Sequence, residues 1–168
     1  MISFVHKVTR FDRLLGKGEG WVLAGLVVTM TVVVLLQVIY RYLLTQPLYW
    51  SEELARYLFV WISLLGAALS VHRGGHFGMD FFVRMMSERK RRAFAYIIYL
   101  LMGVVIIVLF VQGLVLVGKT VAQQSPAMEI SMGWAYASVP AGAGLMAIHL
   151  LALILRETVE KSARPEIS

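Results

Sequence analysis

Two adjacent carboxylates and an arginine open an otherwise apolar stretch, YWSEELARYLFVW, which runs from Tyr49 to Trp61. Paired carboxylates can exchange protons with a substrate, but that chemistry needs a pocket and suitable counter-groups, and the sequence shows neither. Two acids in the first turn of a helix are also favoured by the helix dipole, and Ser51 is a suitable N-cap. Glu52 and Arg56 are four residues apart and can pair along the helix. The stretch is therefore interpreted either as capping or as a polar contact with a partner, with no catalytic or substrate-binding residue.

Three histidines, His72, His76 and His149, are the other residues with chemical potential. Two histidines on facing helices can ligate haem, so one interpretation is a haem- or quinone-bearing four-helix membrane anchor of a redox complex. Against it, only His149 lies well inside a predicted span, and a lone histidine there more often hydrogen-bonds a neighbouring helix. The chain has no cysteine, which excludes thiolate nucleophiles and iron–sulfur clusters. We expect no metal site and no cofactor in this chain.

The composition points to lipid. Of the 168 residues, 59% are hydrophobic and 15% are charged, whereas soluble domains are about 45–50% apolar and about 25% charged. A transmembrane helix needs roughly 20 mainly apolar residues. The sequence therefore predicts an all-α integral membrane protein, a single membrane domain over 1–168, with four transmembrane helices at 21–43, 54–71, 95–118 and 133–155.

Lysine and arginine residues are distributed unevenly between the predicted connections. Thirteen of the sixteen lie in an N-terminal arm, 1–20, in the connection between the second and third spans, or in a tail, 156–168. Because basic loops stay in the cytoplasm, this asymmetry predicts cytoplasmic N- and C-termini. Topology and anionic lipid thus account for the net charge of +6, and nucleic acid is not an expected partner.

A short amphipathic helix, 77–92, is predicted between the second and third spans. Gly74, Gly75 and Gly78 break the preceding helix. The segment after them is too short to span a bilayer but suits a helix lying in the interface, with apolar residues in lipid and basic residues towards the headgroups. The candidate headgroup contacts are Arg84, Arg89, Lys90, Arg91 and Arg92.

Small residues line two of the predicted spans. Such faces allow close helix approach in lipid, where packing drives association. On the second span they are Ser63, Gly66, Ala67 and Ser70, and on the fourth Ala137, Ala141 and Gly144. The predicted spans carry no series of Asp, Glu or Lys residues that would form an ion path, and no pair of them is interrupted as in a substrate site. The chain by itself does not have the pattern of a complete transporter.

The order of these motifs resembles a known family. The stretch WSEELARYLFVWISLLGAALSVHRGGHFGMDFF, and later QQSPAMEISMGWAYASVPAGAGLMAIH, are similar to the two signatures of the small membrane subunit, the DctQ-like or Q component, of tripartite ATP-independent periplasmic (TRAP) transporters. The resemblance covers roughly 21–155. Glu129 departs from it, since many relatives have a small residue there.

The resemblance implies a multi-pass protein of the bacterial inner membrane that is a scaffold and not an enzyme. It implies a sodium-coupled import system for organic acids, such as sialic acid or C4-dicarboxylates, in which a large elevator-type permease subunit binds sodium and substrate. The expected partners are that large subunit, a periplasmic substrate-binding protein and membrane lipids. The candidate partner contacts are Trp50, Glu52, Glu53, Arg56, Pro126 and Glu129.

Overall fold

A computed structural model describes residues 2–74 and 87–163 as an all-helical protein. Its helices are α1 (Ile2–Tyr42), α2 (Tyr49–His72), α3 (Glu88–Thr120), the short α4 (Met132–Tyr136) and α5 (Ser138–Ala163). Within the described ranges, four helical stretches are long and apolar enough to cross a membrane: Lys7–Tyr42, Tyr49–His72, Ala93–Thr120 and Met132–Val159. The predicted all-α class with four spanning helices is confirmed.

The helices extend beyond the predicted spans at several ends. Helix α1 is continuous from Ile2, so the residues assigned to an N-terminal arm form its first turns. The predicted interfacial helix, 77–92, is not confirmed: 77–86 lie outside the described residues, and 88–92 form the start of α3. Gly74 follows the end of α2 with a φ of 68°, in the left-handed region that favours glycine.

Helices α2 and α5 form the centre of the bundle. Helix α1 packs on α2 and α5, and α3 packs on α5 from the other side. The buried core joins Ala68 and Val71 of α2, Ile106 of α3, and Met146 and Leu150 of α5. The outward faces of α1 and α3 are rich in exposed valine, leucine and isoleucine, as expected of helices that contact lipid.

Glycines allow the central helices to approach closely. A Cβ atom on Gly142 would lie 2.8 Å from the Cβ of Leu64 on α2, and one on Gly113 would lie 2.8 Å from the Cδ of Pro140. Such contacts are typical of membrane helices, in which small residues let backbones meet. The bundle has two ends, which we call the terminal end, with the starts of α1 and α3, and the loop end, with connections 43–48 and 121–131.

Candidate functional site

Glu53 organises the loop end of the molecule. Its Oε2 atom accepts hydrogen bonds from the backbone N–H groups of Ala127 (2.9 Å) and Met128 (3.1 Å), and its Oε1 accepts one from the Tyr57 hydroxyl. The side chain is buried. A carboxylate that accepts backbone N–H groups makes strong, charge-assisted bonds. Glu53 therefore fastens the 121–131 connection onto α2.

The 121–131 connection is a compact hairpin-like turn. The N–H of Ser125 donates to the carbonyl of Ile130 (2.8 Å), and the N–H of Met132 donates to that of Gln123 (2.9 Å). Glu129 has a φ of 54°, in the left-handed region that glycine adopts at the lowest cost because it has no Cβ. This backbone conformation gives a physical reason for the small residue expected at this position. The turn presents Pro126 and Glu129 to the outside.

The start of α2 differs from its predicted geometry. The N-cap position is Leu48, so the prediction that Ser51 is the cap is wrong. Tyr49 and Trp50 are already helical, so Ser51 lies inside the first turn, where its hydroxyl donates to the Leu48 carbonyl (2.6 Å).

Glu52 faces away from Glu53 and connects α2 with α1. It accepts from the Gln37 side-chain amide (3.3 Å) and lies 3.8 Å from the Arg41 guanidinium, with both charged side chains 58% exposed. The nearest cation is thus Arg41 and not Arg56, the partner suggested by helix spacing. Of the candidate partner contacts, Trp50, Glu52, Arg56, Pro126 and Glu129 are exposed and Glu53 is not.

The small residues of α2 mostly face outward. Ser63 and Ala67 are exposed, Ser70 is half-buried, and a Cβ on Gly66 would meet no atom within 4 Å. Together with the exposed ring of Phe59, Ser63, Gly66 and Ala67 form what we call the α2 stripe. On α5, Ala137, Ala141 and Gly144 are half-buried, and the tightest approach to α2 is made instead by Gly142.

A second polar site lies at the terminal end, inside the bundle. The His149 Nδ1 atom is 2.6 Å from Asp12 Oδ1, and its Nε2 is 2.9 Å from Glu19 Oε2. Arg156 donates to the other oxygen of Asp12. The His72 Nδ1 atom lies 3.1 Å from that same oxygen but is not aligned as a hydrogen bond. We call these five side chains the charge cluster; they connect α1, α2 and α5.

Three members of the charge cluster are almost fully buried. His149 is 1% exposed, Asp12 2% and Glu19 6%. Each ring nitrogen of His149 faces a carboxylate oxygen, and the Arg156 guanidinium faces Asp12. Buried acids persist in a low-dielectric interior only when they are paired in this way.

The prediction that His149 hydrogen-bonds a neighbouring helix is confirmed, but the histidine is not alone. The sequence analysis did not identify Asp12 and Glu19 as buried partners, because they lie in a polar stretch that was predicted to be an arm outside the membrane. A signal was present: the buried residues Val5, Asp12, Glu19 and Val33 recur at multiples of seven along α1. That spacing marks a single packed helix face. The basic residues Lys7, Arg10, Arg13 and Lys17 are all exposed.

The geometry also bears on the haem interpretation. The rings of His72 and His149 are 4.9 Å apart between centroids and tilted by 59°. Two rings in direct contact leave no gap for a macrocycle between them, and His76 lies outside the described residues. Among the candidate headgroup contacts, Lys90 is exposed, Arg84 lies outside the described residues, and the side chains of Arg89, Arg91 and Arg92 are likewise not described.

Comparison with known families decides the identity of the bundle. Residues 30–160 match the model of the family described as tripartite ATP-independent periplasmic transporters, DctQ component. The match covers α2, α3 and α4, most of α5, and residues 30–42 of α1. The chain belongs to this family.

Two small permease proteins of the DctQ family are among its relatives. The chain is 34% identical over 117 residues to the sialic acid TRAP transporter small permease protein SiaQ of Vibrio cholerae, covering 66% of this chain and 64% of that protein. It is 27% identical over 176 aligned positions to the C4-dicarboxylate TRAP transporter small permease protein DctQ of Rhodobacter capsulatus, covering 83% and 75%.

A longer relative contains a region similar to this chain. The sialic acid TRAP transporter permease protein SiaT of Haemophilus influenzae is 28% identical over 139 residues, which are 83% of this chain but 23% of SiaT. The chain thus spans less than a quarter of SiaT and a little under two thirds of SiaQ. The named relatives are transporter components and not enzymes, and they give no support to a haem- or quinone-bearing anchor. This member of the DctQ family is a multi-pass membrane protein.

Proposed function

We propose that this chain is the scaffold subunit of a sodium-coupled TRAP transporter that imports an organic acid across the bacterial inner membrane. The family match over residues 30–160 carries the proposal. Relatives named for sialic acid and for C4-dicarboxylates suggest a carboxylate substrate. In this proposal a large elevator-type permease subunit binds sodium and substrate, and this chain stays fixed beside it.

The α2 stripe is the proposed contact with the large subunit. It places small residues and one aromatic ring on an outward face of a central helix, where a second membrane protein can approach the backbone closely. The α2 helix is itself held by α1 and α5. A fixed scaffold requires this combination of an open contact face and a well-packed inner face.

The loop end is the proposed contact with the large subunit's outer edge or with the periplasmic substrate-binding protein. Glu53 holds the 121–131 turn in one conformation, so its exposed residues Pro126 and Glu129 lie on a preformed surface beside Glu52 and Arg56. A preformed surface loses less conformational entropy on binding. In this proposal the loop end lies in the periplasm and both termini lie in the cytoplasm.

Assembly is tested by affinity purification of the tagged chain from native membranes in mild detergent, followed by mass spectrometry. A near-stoichiometric large polytopic protein is expected. Gly66→Leu should reduce its yield, because the new side chain would fill the α2 stripe. Gly103→Leu on α3 is the matched control, since that glycine also has no neighbour within 4 Å. A chain that purifies alone, or equal yields for both variants, would contradict the scaffold proposal.

Orientation is tested with single cysteines, since the chain has none of its own. In intact spheroplasts, a membrane-impermeant thiol reagent should label Glu129→Cys at the loop end. Arg73→Cys at the terminal end should react only after the membrane is opened. The reverse labelling pattern would invert the proposed topology.

A further inference from the structure

The charge cluster has no part in the proposed scaffold contacts, yet it collects metal-binding side chains in the interior of the bundle. Asp12, His72 and His149 each offer one ligand atom, and these atoms all lie within 4.8 Å of one another. Ligands of Zn²⁺ lie about 2 Å from the ion, so atoms sharing an ion are at most about 4 Å apart. A small side-chain rotation therefore closes the set around a single ion.

The neighbours of these three residues match the outer partners of a metal site. A histidine ligand usually donates its second ring N–H to a carboxylate, which fixes the tautomer. Glu19 occupies that position beside the Nε2 of His149, which leaves Nδ1 directed at Asp12. Arg156 similarly holds the Asp12 oxygen that His149 does not contact. Ligand orientation is thus already set by the cluster.

The backbone is shaped to admit His72. A Cβ on Gly16 would lie 2.6 Å from the Cδ2 and Nε2 atoms of that ring, so only glycine at this position lets α1 approach it. Gly18, two residues further along α1, would meet no atom within 4 Å. The close approach is therefore specific to the position beside the histidine.

The charges also fit a dication. Asp12 and Glu19 can carry the two negative charges that a dication needs, and Arg156, which contacts Asp12, is 29% exposed, so solvent also reaches its guanidinium. Imidazole ligands favour Zn²⁺ and similar ions over Mg²⁺ or Ca²⁺, which prefer oxygen.

We propose that Asp12, His72 and His149 form a site inside the helix bundle for a borderline transition-metal dication of the Zn²⁺ class. Glu19 and Arg156 position the ligands. The ion would join α1, α2 and α5 at the terminal end of the bundle. This inference concerns the chain alone and does not depend on the transporter partners.

The test uses the full chain, purified with an affinity tag that contains no histidine and stripped of metal with a chelator. Titration with ZnCl₂ in a calorimeter should give one site per chain. Bound Co²⁺ should give visible ligand-field absorption typical of low coordination number. MgCl₂ should give neither signal. Absence of Zn²⁺ binding to the wild-type chain would overturn the proposal.

Variants assign the site to these residues. His72→Ala and His149→Ala should abolish stoichiometric Zn²⁺ binding, and Glu19→Gln should weaken it about 10–100-fold, as loss of an outer partner does. The chain's other histidines supply the controls: His6→Gln and His76→Gln should bind normally. Loss of binding in a control, or its retention in both His72→Ala and His149→Ala, would refute the assignment.

A milder pair of variants covers the case in which the histidine substitutions prevent folding. Gly16→Ala should displace the His72 ring and weaken Zn²⁺ binding at least tenfold, and Gly18→Ala on the same helix should leave it unchanged. Equal affinities in the two variants would contradict the site.

Discussion

The two ends of this bundle satisfy buried charge in opposite ways. At the loop end, the Glu53 carboxylate accepts hydrogen bonds from the backbone of one connection and from one tyrosine. At the terminal end, Asp12 and one oxygen of Glu19 contact ionisable side chains from other helices. A backbone partner stays neutral whatever happens to the acid, whereas a charged partner is left uncompensated when the acid is removed.

The first prediction concerns the terminal end. Asp12→Ala removes the anion shared by His149 and Arg156, and it should lower the free energy of unfolding by about 3–5 kcal/mol, the usual cost of breaking a buried ion pair. Denaturation in detergent provides the measurement. Lys17→Ala, on the exposed face of the same helix, is the control. If both variants were equally stable, the cluster would not hold the bundle together.

Glu53 tests the loop end. Glu53→Gln removes the charged acceptor. The free energy of local opening of the 121–131 turn should fall by about 1.5–3 kcal/mol, the usual contribution of a hydrogen bond to a charged group. Hydrogen exchange of the Ala127 and Met128 amides should accelerate while the core is unaffected. Glu52→Gln should not change these two amides. Unchanged exchange in the Glu53 variant would mean that the turn is held by its own backbone bonds.

Ser131 should have a smaller effect at the same end. Its hydroxyl accepts the N–H of Gly133 (3.2 Å) as the N-cap of α4 and donates to the carbonyl of Val121 (2.6 Å). Ser131→Ala should therefore cost about 1 kcal/mol of stability. Ser63→Ala serves for comparison, because that hydroxyl only bonds back to Phe59 within its own helix. If the Ser131→Ala and Ser63→Ala variants were equally stable, Ser131 would have no capping role.

The smallest effect is expected for Glu52 and Arg41, which are half-exposed at the loop end. A double-mutant cycle with Glu52→Gln and Arg41→Gln should give a coupling energy below about 1 kcal/mol that declines as salt is added. A larger coupling that does not respond to salt would show that this pair is shielded as the charge cluster is, and the contrast between the two ends would fail.

Local sequence was sufficient for the large-scale architecture. Runs of apolar residues locate four helices without knowledge of their contacts, because each must cover the hydrocarbon thickness with its own side chains. The motif order from Trp50 to His149 was likewise sufficient for the family. Sequence also identified Glu53 and His149 as unusual, since a polar group at or within a span needs a partner.

Sequence did not supply the partners themselves. Glu53 was interpreted either as a capping acid or as an external contact, but the turn that covers it is 74 residues further along the chain. Asp12 and Glu19 were read as part of a polar arm, because the exposed basic face of α1 hides its acidic inner face from any average over the segment. The heptad spacing of the buried positions shows which face is packed, but not what lies opposite.

The sequence by itself therefore determined the spanning helices, their charge asymmetry and the family, since these depend on composition and on short ordered motifs. Tertiary structure decided which polar residues are internal, that the α2 stripe faces outward, and that Asp12, Glu19, His72, His149 and Arg156 meet. The physical reason is the same in each case. Apolar length is a property of one segment, whereas burial and charge compensation depend on helices that are far apart in the chain.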